Sequence, residues 1–174
     1  RSVADAAAAE GAAAGGEGSP AASTPFGAGG ARIDAVHVLR ADGSPAAAIR
    51  GGETVTVRLC VTALAHIDSA ILGFNLKDRL GQVLFGENTR VATAATPVGL
   101  QPGQRATADF TFVMPHLRTG KYTLDLAVAD GTQHDHVQHQ WYFDAVLLEV
   151  LTDVPFMAGA FAVPMNVQLT PARE

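Results

Sequence analysis

The sequence predicts an all-β protein, an antiparallel β-sandwich of about seven or eight strands. From Arg32 onward apolar and polar residues alternate with a period of two, the pattern of strands that bury one face. Turn-forming residues separate these runs at the spacing of a sandwich, and no long segment of helical period interrupts them. Two sheets with apolar inner faces are the simplest way to bury so many alternating segments, and a closed barrel is the alternative.

The chain begins with a segment that is rich in alanine and glycine and offers few side chains to bury. We therefore predict that residues 1–31 are a flexible linker and that residues 32–174 form the domain. Asp5 to Ala14 favours a helix, but a short isolated helix is marginal in water. The chain opens on Arg1 rather than methionine, and we expect it to be a fragment of a longer protein.

Three runs of alternating residues predict strands of the sandwich. The first run follows the Gly51-Gly52 turn, and the other two lie later in the chain. Their apolar members are Val55, Val57, Leu59, Val61 and Ala63; Phe110, Phe112 and Met114; and Tyr122, Leu124, Leu126 and Val128. Each run is expected to bury one face and to leave the other polar.

Residues 73–90, GFNLKDRLGQVLFGENTR, predict a hairpin with one polar face. Leu72, Phe74 and Leu76 alternate with polar residues, and the chain then turns at residues 78–81. This polar face is either a solvated sheet surface or part of a binding site.

The last segment alternates large apolar residues at every odd position from Phe161 to Leu169. These residues are Phe161, Val163, Met165, Val167 and Leu169. Pro155 and Gly159 separate the segment from the preceding strand, so it can dock on its own sheet or on a neighbouring copy. Pro164 lacks a backbone donor and favours an edge strand.

Composition excludes several functions. The net charge is −5, and no basic stripe suits a nucleic-acid backbone. No apolar stretch approaches the ~20 residues that span a bilayer. Cys60 is the only cysteine, which rules out an intrachain disulfide and favours a reducing, cytoplasmic compartment. Without a nucleophile elbow, a phosphate-binding loop or a dinucleotide motif, we predict no catalytic residues and no cofactor.

The stretch HDHVQHQW, residues 134–141, concentrates three histidines and the only tryptophan. In a strand His134 and His136 share a face while His139 lies on the other, so the parity argues against a metal site. We therefore predict polar residues entering a strand, with no bound metal. Trp141 is either a core residue between the sheets or a contact for a sugar ring.

A set of planar hydrogen-bonding side chains with one aromatic ring predicts a carbohydrate site. Amide, carboxylate and guanidinium groups bind sugar hydroxyls, and an aromatic face covers the apolar side of the ring. The predicted binding residues are Asn75, Lys77, Arg79, Asn88, Arg90, Asp130, Gln133, His134 and Trp141.

The order of GFNLKDRLGQVLFGENTR, LQPGQRATADFTFVMPHLRTGKYTLDLAVADG and HVQHQWYFDAVLLEV strongly resembles the C-terminal carbohydrate-binding domain of Wzt, the nucleotide-binding subunit of O-antigen polysaccharide ABC transporters. The resemblance covers residues 32–170. It implies an immunoglobulin-like sandwich that follows an ATPase and a linker in the full-length protein. It also implies a homodimer that exchanges its C-terminal strand through Phe161, Val163, Met165, Val167 and Leu169.

The resemblance further implies a non-catalytic module that binds an O-antigen polysaccharide, in the family often at a modified non-reducing end. The full-length protein would then contact the transporter's membrane subunit at the cytoplasmic face of the inner membrane. The alternative is a structural domain that dimerises the ATPase without binding glycan. The resemblance transfers no binding residue to this sequence, so the carbohydrate site rests on the side chains named above.

Overall fold

A computed structural model of the chain describes residues 17–18, 24–155 and 157–169. Within these ranges the backbone forms strands and turns and contains no helix, and the sandwich prediction is confirmed. The strands are β1 (Glu17–Gly18), β2 (Ala31–Arg40), β3 (Ala48–Arg50), β4 (Thr54–Ala63), β5 (Ala70–Lys77), β6 (Val83–Asn88), β7 (Arg105–Val113), β8 (His116–Leu117), β9 (Gly120–Gly131), β10 (His136–Leu151) and β11 (Phe161–Ala162).

Two sheets form the sandwich. One has the strand order β1-β2-β4-β7, the other has the order β3-β10-β9-β5-β6, and β8 pairs separately with β11. The described strands pair antiparallel except for β3, which runs parallel to β10. Alternation along a strand does not predict this pairing, because both directions place every second side chain on the same face.

The core lies between the two sheets and consists of the apolar residues that the alternation singles out. In β4 each of the five apolar members is at most 1% exposed, while their neighbours in the strand are half-buried or exposed. From the facing sheet, Leu72, Phe74, Leu76, Leu124, Leu126 and Val128 are buried in the same cluster. The opposite face of that sheet is therefore free to carry polar residues.

Tyr122, near the start of β9, ties the strand to the turn before it. Its hydroxyl donates a hydrogen bond of 2.8 Å to the carbonyl oxygen of Arg118. A tyrosine that bonds back to the backbone at this corner is a hallmark of immunoglobulin-like sandwiches. Burial raises the pKa of this hydroxyl, and the Asp78 charge raises it further.

The predicted hairpin is confirmed as β5, a turn and β6. The carboxylate of Asp78 accepts hydrogen bonds from the backbone N–H groups of Leu80 (2.8 Å) and Gln82 (3.0 Å). Gly81 has a φ of +78°, which a residue with a side chain rarely adopts. Aspartate and glycine thus stabilise the tight turn as the sequence indicates.

Short pairings lie at both ends of the described chain. Only Phe161 and Ala162 of the final segment form a strand, because their partner β8 has just two residues. Residues 163–169 have no regular secondary structure and are exposed. Most of the predicted linker lies outside the described residues, but within it β1 pairs with β2, and residues 26–29 pair with β10.

Candidate functional site

A groove crosses the outer face of the five-stranded sheet. Across its middle, four paired residues lie side by side, one from each of four neighbouring strands. They are Trp141 (β10), Ala127 (β9), Gly73 (β5) and Asn88 (β6). Small residues in the two central strands leave a depression between the larger side chains of the two outer strands. The cavity has a volume of about 340 Å³, within the range of small-molecule sites.

Glycines are required where the groove passes over β5 and β6. A Cβ on Gly73 would lie 3.0 Å from Cβ of Asn88 and 3.1 Å from the carbonyl oxygen of Glu87. A Cβ on Gly86 would collide with Oδ1 of Asn75 and with the neighbouring backbone. These two glycines let the asparagine side chains lie across the groove floor.

The side chains that can contact a ligand in the groove are mostly uncharged. Four are amides, one is the indole of Trp141, and the others include a hydroxyl and an imidazole. The polar members of the lining on the outer face are Asn75, Asn88, Asp125, Thr132, Gln133, His136 and Gln138. Amides both donate and accept hydrogen bonds, as sugar hydroxyls also do.

The turn between β9 and β10 borders one end of the groove with Thr132 and Gln133. The Thr132 N–H donates to the carbonyl oxygen of Asp135 (2.8 Å), and the Asp135 N–H donates to the Thr132 hydroxyl (3.0 Å). Gln133 within this turn accepts a long hydrogen bond of 3.4 Å from the Asn88 amide across the groove. These hydrogen bonds hold the turn in place beside Asn88.

The wall on the β10 side is Trp141, which belongs to an aromatic cluster with Phe26 and Phe143. The Phe26 ring stacks on Trp141 at a centroid distance of 6.3 Å and on Phe143 at 5.8 Å. Trp141 is half-buried on the outer face, so its interpretation as a core residue between the sheets is wrong. The buried indole N–H has no hydrogen-bond partner among the described residues.

Beside this wall lies a buried ionic triad. The ammonium of Lys77 is 2.6 Å from Oδ1 of Asp125 and 2.9 Å from Oδ1 of Asp144, and it lies 5.4 Å from the centre of the Phe143 ring. Asp125 also accepts a hydrogen bond of 2.9 Å from the Asp144 N–H. Asp144 has a φ of +52° at a register shift of β10, so the triad holds an irregular strand in place.

The triad shifts the pKa values of Lys77 and Asp144 toward their charged forms. Burial alone would lower the pKa of Lys77, but the hydrogen bonds and charges of Asp125 and Asp144 outweigh it and raise that pKa. The hydrogen bond from Lys77, followed by that from Thr123, lowers the pKa of Asp144. Both groups are therefore ionised at neutral pH.

The structure brings together four of the nine predicted binding residues, namely Asn75, Asn88, Gln133 and Trp141, with Lys77 just beneath them. The other four lie elsewhere. Arg79 lines a separate depression at the hairpin tip with Arg118 and Lys121. Asp130 accepts hydrogen bonds from the backbone N–H groups of Ser69 (2.7 Å) and Asp68 (3.2 Å) and so holds a loop.

Arg90 and His134 are also outside the groove lining. The Arg90 N–H donates to the side chain of Asn88 (2.9 Å), and Nη1 of its guanidinium is buried without a partner among the described residues. His134 is exposed in the turn between β9 and β10. Arg90 thus supports a groove residue through its backbone rather than through its charge.

Sequence reasoning missed Phe26, Gln138, Phe143 and the partners of Lys77. Phe26 stands alone in an alanine- and glycine-rich stretch, and that isolation is the one signal that marked it. Asp144 is brought to Lys77 by the sheet, from 67 positions along the chain, and no local pattern indicates this pairing.

The histidines of residues 134–141 lie in different environments. His136 lines the groove, while His139 is 9% exposed, and its Nδ1 accepts a hydrogen bond of 3.2 Å from the Gly30 N–H. Across the described ranges, no group of three His, Cys, Asp or Glu side chains is placed to hold a metal ion. No helix among those residues is long and apolar enough to cross a membrane.

Comparison with known proteins gives two findings on this architecture. The family model of the Wzt C-terminal domain matches residues 23–163. Among solved structures, the crystal structure of the C-terminal domain of Wzt superposes with a TM-score of 0.75 at 21% sequence identity, covering 84% of this chain and 88% of that chain. A comparison with curated proteins finds no match.

Proposed function

The chain belongs to the Wzt C-terminal domain family, and from this membership we propose that it is a non-catalytic module that binds an O-antigen polysaccharide for export by an ABC transporter. In the full-length protein the module would follow an ATPase and work with the transporter's membrane subunit at the cytoplasmic face of the inner membrane. The polysaccharide is its partner, and no cofactor is needed.

The observation that carries this proposal is the groove itself. A half-buried indole forms one wall, side-chain amides form the floor and the opposite wall, and the turn between β9 and β10 borders one end. An indole face covers the apolar side of a sugar ring, and amides hydrogen-bond to its hydroxyls. We propose that the end bordered by the turn receives the chain terminus, including a modified non-reducing end.

Titration with glycan tests the proposal directly. Trp141 is the only tryptophan of the chain, so its fluorescence reports on the groove wall alone. We expect the O-polysaccharide of the source strain to change this fluorescence with a Kd in the micromolar to millimolar range, about −8 to −4 kcal/mol, because sugar sites are shallow and wet. An unrelated polysaccharide is the control, and an equal response to both would contradict specific recognition.

The exposed C-terminal segment supports a second part of the proposal, a homodimer that exchanges this segment. Val163, Met165, Val167 and Leu169 are 55 to 96% exposed in the single chain. Such a run of apolar side chains is rarely left in water, and exchange of an identical element is a low-cost route to a twofold dimer. The same observation favours the alternative function, a structural domain that dimerises the ATPase without binding glycan.

A further inference from the structure

The charge of the groove limits which glycans it can accept, and this inference rests on the proposed function. Among the described residues that line the groove, the acidic residues are Asp125 and Glu87, and neither lysine nor arginine is present. Asp125 is 3% exposed and is committed to Lys77 and to the Asp144 N–H. The Glu87 carboxylate accepts a hydrogen bond of 2.8 Å from the Asn88 N–H.

Among the described residues, Lys77 is the cation paired with a carboxylate of the groove lining, and it is not available to a ligand. Its side chain is 10% exposed, and its ammonium already contacts two carboxylates at 2.6 and 2.9 Å. Breaking either contact to bind an anionic ligand would leave a carboxylate without its partner, which is costly in a partly buried site. Asp125, Glu87, Asp144 and Lys77 together carry a formal charge of −2.

The two arginines that the sequence predicts as carbohydrate-binding residues do not line this groove. Arg79 is in the depression at the hairpin tip, and Arg90 is outside the groove lining. An anionic sugar in the groove would therefore lose hydration without gaining a cation.

The amide side chains of the groove match uncharged sugar groups. Asn75 and Gln133 each carry a carbonyl acceptor and an N–H donor group, which pair with hydroxyl or acetamido groups of either polarity. The N–H groups of Gln138 donate to the carbonyl oxygens of Val128 and Gln140, both at 2.8 Å, so this side chain offers a ligand its acceptor oxygen. Gly73 and Ala127 leave space between them and Trp141 for the apolar face of a ring.

We propose that the groove selects an uncharged sugar terminus and rejects one that carries a carboxylate or a phosphate. Selectivity then comes from two features: amides that match neutral groups, and a surplus of carboxylates that penalises acidic ones. The ligand class is a neutral hexose or N-acetylhexosamine end of the polysaccharide.

An array of hexose and N-acetylhexosamine oligosaccharides tests this, each prepared uncharged, with a terminal uronate and with a terminal phosphate. Binding is followed by calorimetry and by Trp141 fluorescence. We expect one or more uncharged members to bind at least about tenfold tighter than their two acidic forms, since the acidic forms lack a counter-charge.

Two matched variants separate local charge from net charge. Gln133→Lys places a cation in the groove wall. It should bring the Kd of the acidic forms to within about threefold of the Kd of the uncharged form. Gln101→Lys changes the net charge equally, but Gln101 lies in an exposed turn outside the groove, so the selectivity should stay unchanged.

The outcomes are distinct. Acidic forms that bind as tightly as the uncharged ones, or tighter, would overturn the inference and leave the glycan-binding function in place. No binding by any member of the array or by the strain's own polysaccharide would overturn the proposed function and this inference with it.

Discussion

Single residues of the groove are oriented by contacts that are visible in the structure. The Asn88 side chain accepts a hydrogen bond from the Arg90 N–H at 2.9 Å and donates to Gln133 at 3.4 Å. Its amide therefore has a set orientation before any ligand arrives, which lowers the entropy cost of binding. Arg79, by contrast, is exposed and lies in a different depression.

We expect Asn88→Ala to weaken glycan binding about fivefold, because about 1 kcal/mol is the usual contribution of a hydrogen bond. Arg79→Ala is the control and should leave the Kd unchanged. Both are measured by calorimetry, with the thermal midpoint as the check on folding. A larger loss in Arg79→Ala would place the glycan at the hairpin tip instead.

Lys77 is the residue on which the outer face of the sheet depends most for stability. We expect Lys77→Met to lower the free energy of unfolding by about 3 kcal/mol, because it leaves the buried Asp125 carboxylate uncompensated. Lys121→Met, at an exposed position of β9, is the matched control and should change it by less than ~0.5 kcal/mol. Denaturant unfolding measures the free energy of unfolding of both variants. Equal free energies in Lys77→Met and Lys121→Met would contradict the role of the triad.

The same triad predicts how stability depends on pH. The pKa of Lys77 is raised in the folded protein, so its contribution is complete below the unfolded value of about 10.4 and is lost as the pH rises through the folded value. The pKa of Asp144 is lowered, so its contribution is complete above about 3.9 and is lost as the pH falls further. Lys77→Met should therefore lose less stability than the wild type as the pH rises above about 10.4, and an unchanged alkaline slope would oppose this assignment.

Among the elements, the segment before β2 has the most direct bearing on the groove. Phe26 and Trp141 exchange backbone hydrogen bonds of 3.2 and 2.9 Å, and the N–H groups of Ala28 and Gly29 donate to Gln138 and His139 of β10 at 2.8 and 2.9 Å. This pairing places the Phe26 ring on Trp141. The chain that enters the domain thus packs against the groove wall at Trp141.

Gly27→Ala should detach this segment. Gly27 has a φ of +137°, and a Cβ there would collide with the backbone carbonyl of His139. We expect the emission of Trp141 to shift to longer wavelength, because the indole loses the cover of Phe26, and glycan affinity to fall. Gly29→Ala is the control, since its φ of +76° costs about 1 kcal/mol but a Cβ would meet no atom within 4 Å. Identical spectra for the two variants would contradict the role of residues 26–29.

At the scale of the whole molecule, the C-terminal segment leaves the single chain incomplete. Its residues 163–169 are exposed and unpaired with any described strand, although the apolar alternation is that of a buried strand face. Each such side chain contributes about 1.5–3 kcal/mol when it is fully buried. A second copy is the surface that we propose to cover them.

Deletion of residues 156–174 should therefore convert a dimer into a monomer or into an aggregating species. Light scattering at matched concentration gives the molar mass, and circular dichroism checks that the sandwich persists. A shorter deletion, of residues 170–174, removes none of the five apolar positions and should remain dimeric. A well-folded dimer after the longer deletion would show that the interface is elsewhere.

Much of the fold follows from local patterns in the sequence. The alternation of β4 predicts its buried face, and the pairing of Asp78 with Gly81 predicts the turn of the hairpin. Both depend on neighbours in the chain, since side-chain parity and turn geometry are local properties. The amide and indole groups of the site are predictable in the same way, as residue types that suit a sugar.

The tertiary structure alone decided which of these amide and indole groups lie together in one site. Sheet order places Trp141 in one row with Asn88, and it removes Arg79 from the groove to the tip of the hairpin. It also brings Asp144 to Lys77, which converts an expected ligand-binding cation into a neutralised structural one. The physical reason is that strand pairing joins residues far apart in the chain, and charge and burial at a site depend on those distant neighbours.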